Sequence, residues 1–112
     1  MVAELALQDF DRVVLDSDIP VFVCFSTSPC GSCFALCLVV ADLAEEYRER
    51  VKFIKINVEE EPELVDRYKV RALPAVLLFH HGKSVEGMVG FRSKAKLRRT
   101  LDTLVARNAY SV

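Results

Sequence analysis

The sequence predicts an α/β fold in which a central mixed β-sheet carries helices on both faces. Three observations lead there. In the first half of the chain, short runs of β-forming residues alternate with stretches of helical periodicity, the order that builds parallel strands joined by crossover helices. In the second half two β-runs flank His81-Gly82, a hairpin signature that implies antiparallel pairing. The 112 residues are 52% hydrophobic and 28% charged, with a mean hydropathy of +0.22. That is enough to bury one core and too little for two, so one domain spanning 1–112 is expected.

The elements follow in order. Phe10, Val13 and Val14 sit at helical spacing within Asp9 to Leu15, and Asp16-Ser17-Asp18 and Pro20 close that stretch. Val21 to Phe25 is apolar, rich in β-formers and bounded by Pro20 and Ser26-Thr27-Ser28-Pro29, which reads as a buried strand. From Cys33 to about Arg48, the residues Leu36, Val39, Val40, Leu43 and Tyr47 recur at i, i+3, i+4, i+7 and i+11. This predicts a long helix, fully buried in its first half. Lys52 to Asn57 alternates as a strand with one partly solvated side, and Pro62 opens a short acidic helix to Tyr68. Ala75 to Phe79 and Ser84 to Val89 form the hairpin, with His80 and His81 as solvated residues at its turn. Ser93 is placed to cap a last helix, with Leu97, Leu101, Leu104 and Val105 on one face and Lys94, Lys96, Arg98 and Arg99 on the solvated other.

Charge and composition exclude several classes. A net charge of −1 lacks the basic footprint of a nucleic-acid binder. The longest apolar runs, Cys33 to Ala41 and Ala72 to Phe79, fall well short of the ~20 residues a membrane span requires. Glu4, Asp9 and Asp11 precede any sustained apolar stretch, so no secretory leader is expected, although a mature chain could have lost one. The cytoplasm is therefore the expected compartment. Four cysteines are too few for a disulfide scaffold of this length.

Chemistry concentrates in Cys30-Gly31-Ser32-Cys33, where a buried strand gives way to a long helix. Two intervening residues let the sulfurs meet across one helical turn. The helix start sets unpaired N–H groups and the positive dipole end against Cys30, favouring the thiolate, which is the species that attacks disulfides. Cys33, one turn in, becomes the resolving thiol, and Gly31 is expected to permit a tight turn. A metal site is the competing reading, since Cys24, Cys30, Cys33 and Cys37 supply four sulfurs. It is disfavoured because Cys24 lies in an apolar strand, Cys37 falls on the expected core face, and no second CxxC or spaced histidine pair follows. Cys37 is accordingly expected to be a small core residue.

On these residues the chain resembles the thioredoxin family from Phe10 to about Ala106. Beyond the CxxC, the resemblance rests on Val21-Phe22-Val23-Cys24-Phe25, Val51 to Val58, Glu61-Pro62-Glu63-Leu64, Tyr68-Lys69-Val70-Arg71, Leu73-Pro74-Ala75, Gly82, Val89-Gly90 and Ser93-Lys94. It implies a thioredoxin-like fold and a thiol–disulfide oxidoreductase that works as a monomer on disulfide-containing proteins. It also implies a flavin-dependent thioredoxin reductase as electron donor, and no cofactor beyond a redox-active Cys30–Cys33 disulfide. Pro74 matches the family's cis-proline, which faces the CxxC. Leu73, Pro74, Val89, Gly90, Phe91 and Phe34 would line the substrate site.

The departures from the family pattern matter as much. Pro29-Cys30-Gly31-Ser32-Cys33 replaces Trp-Cys-Gly-Pro-Cys. Serine frees the φ angle that proline fixes, and the Ser32 hydroxyl can bond a neighbouring sulfur. Ser26 stands where an aromatic is usual. Cys24 occupies the position of the family's buried acid, whose partner lysine Lys55 matches. Phe34 replaces a lysine, and Leu38 the proline that kinks this helix. Together these changes suggest a specialised member. Two further readings stay open: an oxidase- or isomerase-like member, and a low-turnover binding protein exposing Phe34, Leu73 and Phe91.

Overall fold

In a computed structural model that describes residues 2–109, five strands alternate with helices. Met1 and Tyr110–Val112 of the expected domain lie outside the described residues. Strand β1 (Val2–Glu4) leads to α1 (Leu7–Phe10), which runs on as a π-helical stretch over Asp11–Leu15. Then come β2 (Val21–Ser26), α2 (Gly31–Glu46), β3 (Lys52–Asn57), α3 (Pro62–Arg67), β4 (Ala75–His80), β5 (Lys83–Val89) and α4 (Lys94–Ala109). The strands form one sheet in the order β1-β3-β2-β4-β5. β1 and β2 pair parallel with β3, while β4 pairs antiparallel with both β2 and β5. This is the mixed sheet that the alternation and the closing hairpin predict.

β2 is buried along its whole length because both sheet faces are covered, and its side chains alternate between them. Phe22 and Cys24 join Leu36, Leu43, Leu97 and Leu101 of α2 and α4 on one face. Val21, Val23 and Phe25 join Phe10, Val14 and Leu64 of the α1 and α3 side on the other. Pro20 and the segment before it deliver β2 into the sheet, where the Lys52 N–H donates to the Pro20 carbonyl at 2.9 Å.

Several expectations change. β1 is an additional strand of three residues, too short to leave a periodic signal, and it adds to the edge of β3 with Glu4 opposite Lys55. The first helix starts at Leu7 and widens into a π-turn, with the Asp16 N–H donating to the Asp11 carbonyl at 3.0 Å. Ser93 does cap α4, accepting from the Lys96 N–H at 3.2 Å, and Leu97, Leu101 and Leu104 are buried. The basic run on α4 is not simply solvated. Arg98 grips Glu46 of α2 with two nitrogens at 2.8 and 3.0 Å, and the Lys94 ammonium lies 3.1 Å from the same carboxylate. The Arg98 hydrogen bond, with Lys94 assisting, holds the Glu46 carboxyl down at about 2. His80 is no turn residue either. It ends β4 half-buried, with Nε2 3.0 Å from Asn108 Oδ1 on α4, and only His81, at φ +53°, makes the turn with Gly82. Among the described residues, no helix is long and apolar enough to cross a membrane.

Candidate active site

β2 carries the chain from the sheet centre to its end at Ser26, where the backbone leaves through Thr27-Ser28-Pro29. The Val58 N–H bonds the Ser26 carbonyl at 3.0 Å, and the Thr27 hydroxyl bonds the Glu59 carboxylate. Both contacts anchor the exit loop to the end of β3. The Ser28–Pro29 peptide is cis, a feature the sequence reading did not anticipate. Cys30 follows in an extended conformation (φ −159°, ψ 108°) and is the N-cap of α2.

The cap sets the chemistry of the first sulfur. Cys30 Sγ accepts the Cys33 N–H at 3.2 Å and lies 3.7 Å from the Ser32 hydroxyl. An N-cap acceptor normally takes one of the orphan N–H groups at a helix start, and here that acceptor is sulfur. These donors and the helix dipole favour negative charge on Cys30 when the pair is reduced. The two cysteines are joined by a disulfide, with their Cα atoms 5.2 Å apart. Cys30 is half-buried, whereas Cys33 is 5% exposed. An incoming disulfide therefore meets Cys30 first.

Gly31 does not serve as expected. It is the first residue of α2, its φ is not left-handed, and a Cβ there would meet nothing within 4 Å. No tight turn requires it. The first half of α2 is also less buried than its periodicity suggests. Cys33, Leu36 and Val40 face the sheet, while Phe34 and Leu38 are 67% and 58% exposed. They lie on the opposite side of the helix, where nothing covers them.

Cys37 is likewise exposed rather than a core residue. Four residues after Cys33 it shares that residue's helical side, but it faces outward at the mouth of a narrow crevice that Lys55, Cys24 and Cys33 also line. Its spacing signalled core, yet the structure leaves it facing solvent. Among the described residues, no group of three or more metal-ligating side chains is placed to hold an ion.

Cys24 lies under the disulfide as expected, 6% exposed and opposite Lys55 in the β2–β3 register. Burial, reinforced by charge on Cys37 and opposed by the Lys55 ammonium, pushes its thiol from 9.0 up to about 12. An unfolded chain releases this proton first, so the Cys24 contribution to stability is intact below pH 9 and is lost as the pH climbs towards 12. The loss approaches ~1.4 kcal/mol per pH unit in that window. Unfolding free energies of the wild type and Cys24→Ala, compared from pH 8 to 11, should converge by that slope. Parallel curves would show that Cys24 ionises as readily folded as unfolded.

The remaining site residues come from β4 and β5. The Leu73–Pro74 peptide is cis, Pro74 is buried, and its carbonyl accepts the Gly90 N–H at 2.7 Å. Ala75 pairs with Phe25 on one side and Val89 on the other. Pro74 and Gly90 therefore stand at the same end of the sheet as the exit from β2 to the CxxC. Gly90 has φ +87°, a left-handed conformation that favours glycine. Val89 and Phe91 are 54% and 46% exposed, while Leu73 is half-buried against the α1–α3 side. The expected substrate residues thus fall at one end of the molecule, with Phe34 presented separately by α2.

Residues 1–103 match the family model described as Thioredoxin. The chain is 35% identical over 100 residues to Thioredoxin 1 of Nostoc sp., covering 89% of this chain and 94% of that one. It is 38% identical over 93 residues to Thioredoxin 1 of Synechococcus elongatus, covering 83% and 87%. It is 32% identical over 97 residues to Thioredoxin of Rickettsia prowazekii, covering 87% and 92%.

Proposed function

This chain belongs to the thioredoxin family, and from that premise we infer that its Cys30–Cys33 pair reduces disulfides of other proteins. It is a thiol–disulfide oxidoreductase; the capped sulfur supports Cys30 as the group that attacks an outside disulfide, and the reductive direction follows from the family. Cys30 Sγ, half-exposed, accepts the Cys33 N–H at the positive end of α2, and Cys33 waits buried one turn behind.

The Cys30 thiolate attacks one sulfur of a substrate disulfide, and the other leaves as a thiolate that takes up a proton. The Cys33 thiol then loses its proton and attacks the Cys30 sulfur. That step closes the Cys30–Cys33 bond and releases the second substrate thiol. The Cys33 proton passes to solvent or to the leaving thiolate, since the buried acid usual in the family is replaced by Cys24. Pro74, Val89, Gly90 and Phe91 would hold an extended segment of substrate beside the sulfurs, with Phe34 providing an apolar rim. No cofactor beyond the disulfide is required. We place the protein in the cytoplasm as a monomer recharged by a flavin-dependent thioredoxin reductase, which matches a dithiol that must be returned to the reduced state.

The reduction potential tests the direction. A value in the reducing range, about −270 mV as for thioredoxin, is expected. A value near about −180 or −120 mV, the range of isomerases and oxidases, would assign electron flow the other way. An insulin-reduction assay with a thioredoxin reductase should show catalytic turnover. Binding of substrate without turnover would make this a docking protein on a thioredoxin frame.

A further inference from the structure

The CxxC accounts for two of the four cysteines, yet Cys24 and Cys37 lie against it. Cys24, Cys33 and Cys37 line one narrow crevice together with Lys55 and Ser26. The crevice opens beside Cys30 and Phe34, and Cys37 is on its exposed wall. We propose that Cys24 and Cys37 form a second dithiol that takes over the disulfide from Cys30 and Cys33, so that one reduced chain reduces two substrate disulfides. The proposal rests on the reading that Cys30–Cys33 reduces substrate disulfides.

The exchange needs no external oxidant. After a first substrate is reduced, the chain holds a Cys30–Cys33 disulfide and two thiols, Cys24 and Cys37. The Cys37 thiol loses its proton and attacks the Cys33 sulfur. A Cys33–Cys37 bond forms, the Cys30–Cys33 bond breaks, and the Cys30 thiolate leaves and is protonated. The Cys24 thiol then loses its proton and attacks the Cys37 sulfur, forming Cys24–Cys37 and releasing Cys33 as a thiol. Two protons are lost and two regained, and the electron pair stays within the chain. Cys30 and Cys33 are again a dithiol, ready for a second substrate.

The three sulfurs are neighbours in the fold. Residues four apart on a helix lie about 6 Å apart along its axis, inside the 4.4–6.8 Å Cα range of disulfides. Cys33 and Cys37 are such a pair within α2. The Cβ atoms of such a pair lie about 5–6 Å apart, so the transient Cys33–Cys37 bond needs that turn of α2 to tighten towards the 3.5–4.5 Å Cβ spacing of a bridge. Cys24 faces α2 from β2 in the same buried cluster as Leu36 and Val40, which flank Cys37 on the helix. The Cys24 thiol also feels charge on both Cys37 and Lys55, which places all three side chains within electrostatic reach. Because burial holds the proton on Cys24, its attack is the slower of the two exchanges, and the Lys55 ammonium is the group that eases it.

The test is a stoichiometry. Fully reduced protein, freed of reductant, is mixed with excess insulin and no reductase, and the insulin disulfides lost per chain are counted by alkylation and mass. Two per chain are expected for the wild type and one for Cys37→Ser, with a Cys24–Cys37 peptide in the exhausted wild-type protein. One per chain in the wild type, with Cys24 and Cys37 still alkylatable, overturns the second dithiol and leaves the Cys30–Cys33 reading intact. About one and a half per chain, with Cys37 joined to Cys37 of a second molecule, also overturns it. None in either protein removes the reductase reading itself.

Discussion

Cys30→Ser abolishes disulfide reduction, lowering insulin turnover by roughly 10³-fold or more, and leaves no covalent adduct with substrate. Cys33→Ser loses turnover as completely but accumulates mixed disulfides, because the attacking sulfur survives and only its release is blocked. The asymmetry follows from the burial of the two sulfurs, with Cys30 half-open and Cys33 at 5% exposure. Cys37 does not rescue the Cys33 variant. It lies seven residues from Cys30, about 10 Å along the helix, beyond disulfide reach. Non-reducing electrophoresis and mass mapping with an oxidised protein substrate check this. Adducts on Cys37 in the Cys33→Ser variant, or adducts surviving in Cys30→Ser, would show that the first attack belongs to another sulfur.

Cys24→Asp restores the family's buried acid and produces two opposed effects. A carboxyl in a position 6% exposed costs roughly 1–3 kcal/mol or more when its bonding is incomplete, and Lys55, opposite it in register, compensates in part. The unfolding midpoint therefore falls. The same carboxylate sits beneath Cys33 and can take the proton that the resolving thiol must lose. General-base assistance is worth ~10²–10⁴-fold where fully in play; water already serves thiol exchange, so a gain of up to roughly tenfold near neutral pH is expected. Unfolding and insulin-reduction rates, measured on the folded variant and the wild type, settle it. An unchanged rate with a lowered midpoint would mean that solvent handles the proton unaided.

How far the sequence could be read depended on how local each signal was. The CxxC at a strand–helix junction, the closing hairpin and the Ser93 cap are local patterns, and each is found where its residues predict. Elements and contacts set by tertiary packing were not legible. β1 is three residues held extended by the free edge of β3 and by Val2 packing on the core beneath α2. Lys94 and Arg98 read as a solvated face because Glu46, their partner, lies about fifty residues away in the chain. Cys37 has the spacing of a core residue and fails to be one because the sheet is met by its neighbours Cys33, Leu36 and Val40, leaving Cys37 on the solvent side. The glycine of the motif misled in the opposite way, since its backbone needs none of the freedom that glycine supplies.

The bridge between Cys30 and Cys33 spans a sequence separation of only three, and that shortness has a thermodynamic consequence. A cross-link stabilises a fold mainly by removing freedom from the unfolded chain, and the amount grows with the loop it closes. A ring of four residues removes about 2 kcal/mol, against ~4.7 for a loop of one hundred. What little it removes is confined to one turn that α2 orders anyway. Opening the bridge therefore leaves the sheet, both cores and the docking of α4 on α2 untouched. Loss of the bond during each catalytic cycle costs at most about 2 kcal/mol of stability, and the electrons that pass through the pair are exchanged on a scaffold held together elsewhere.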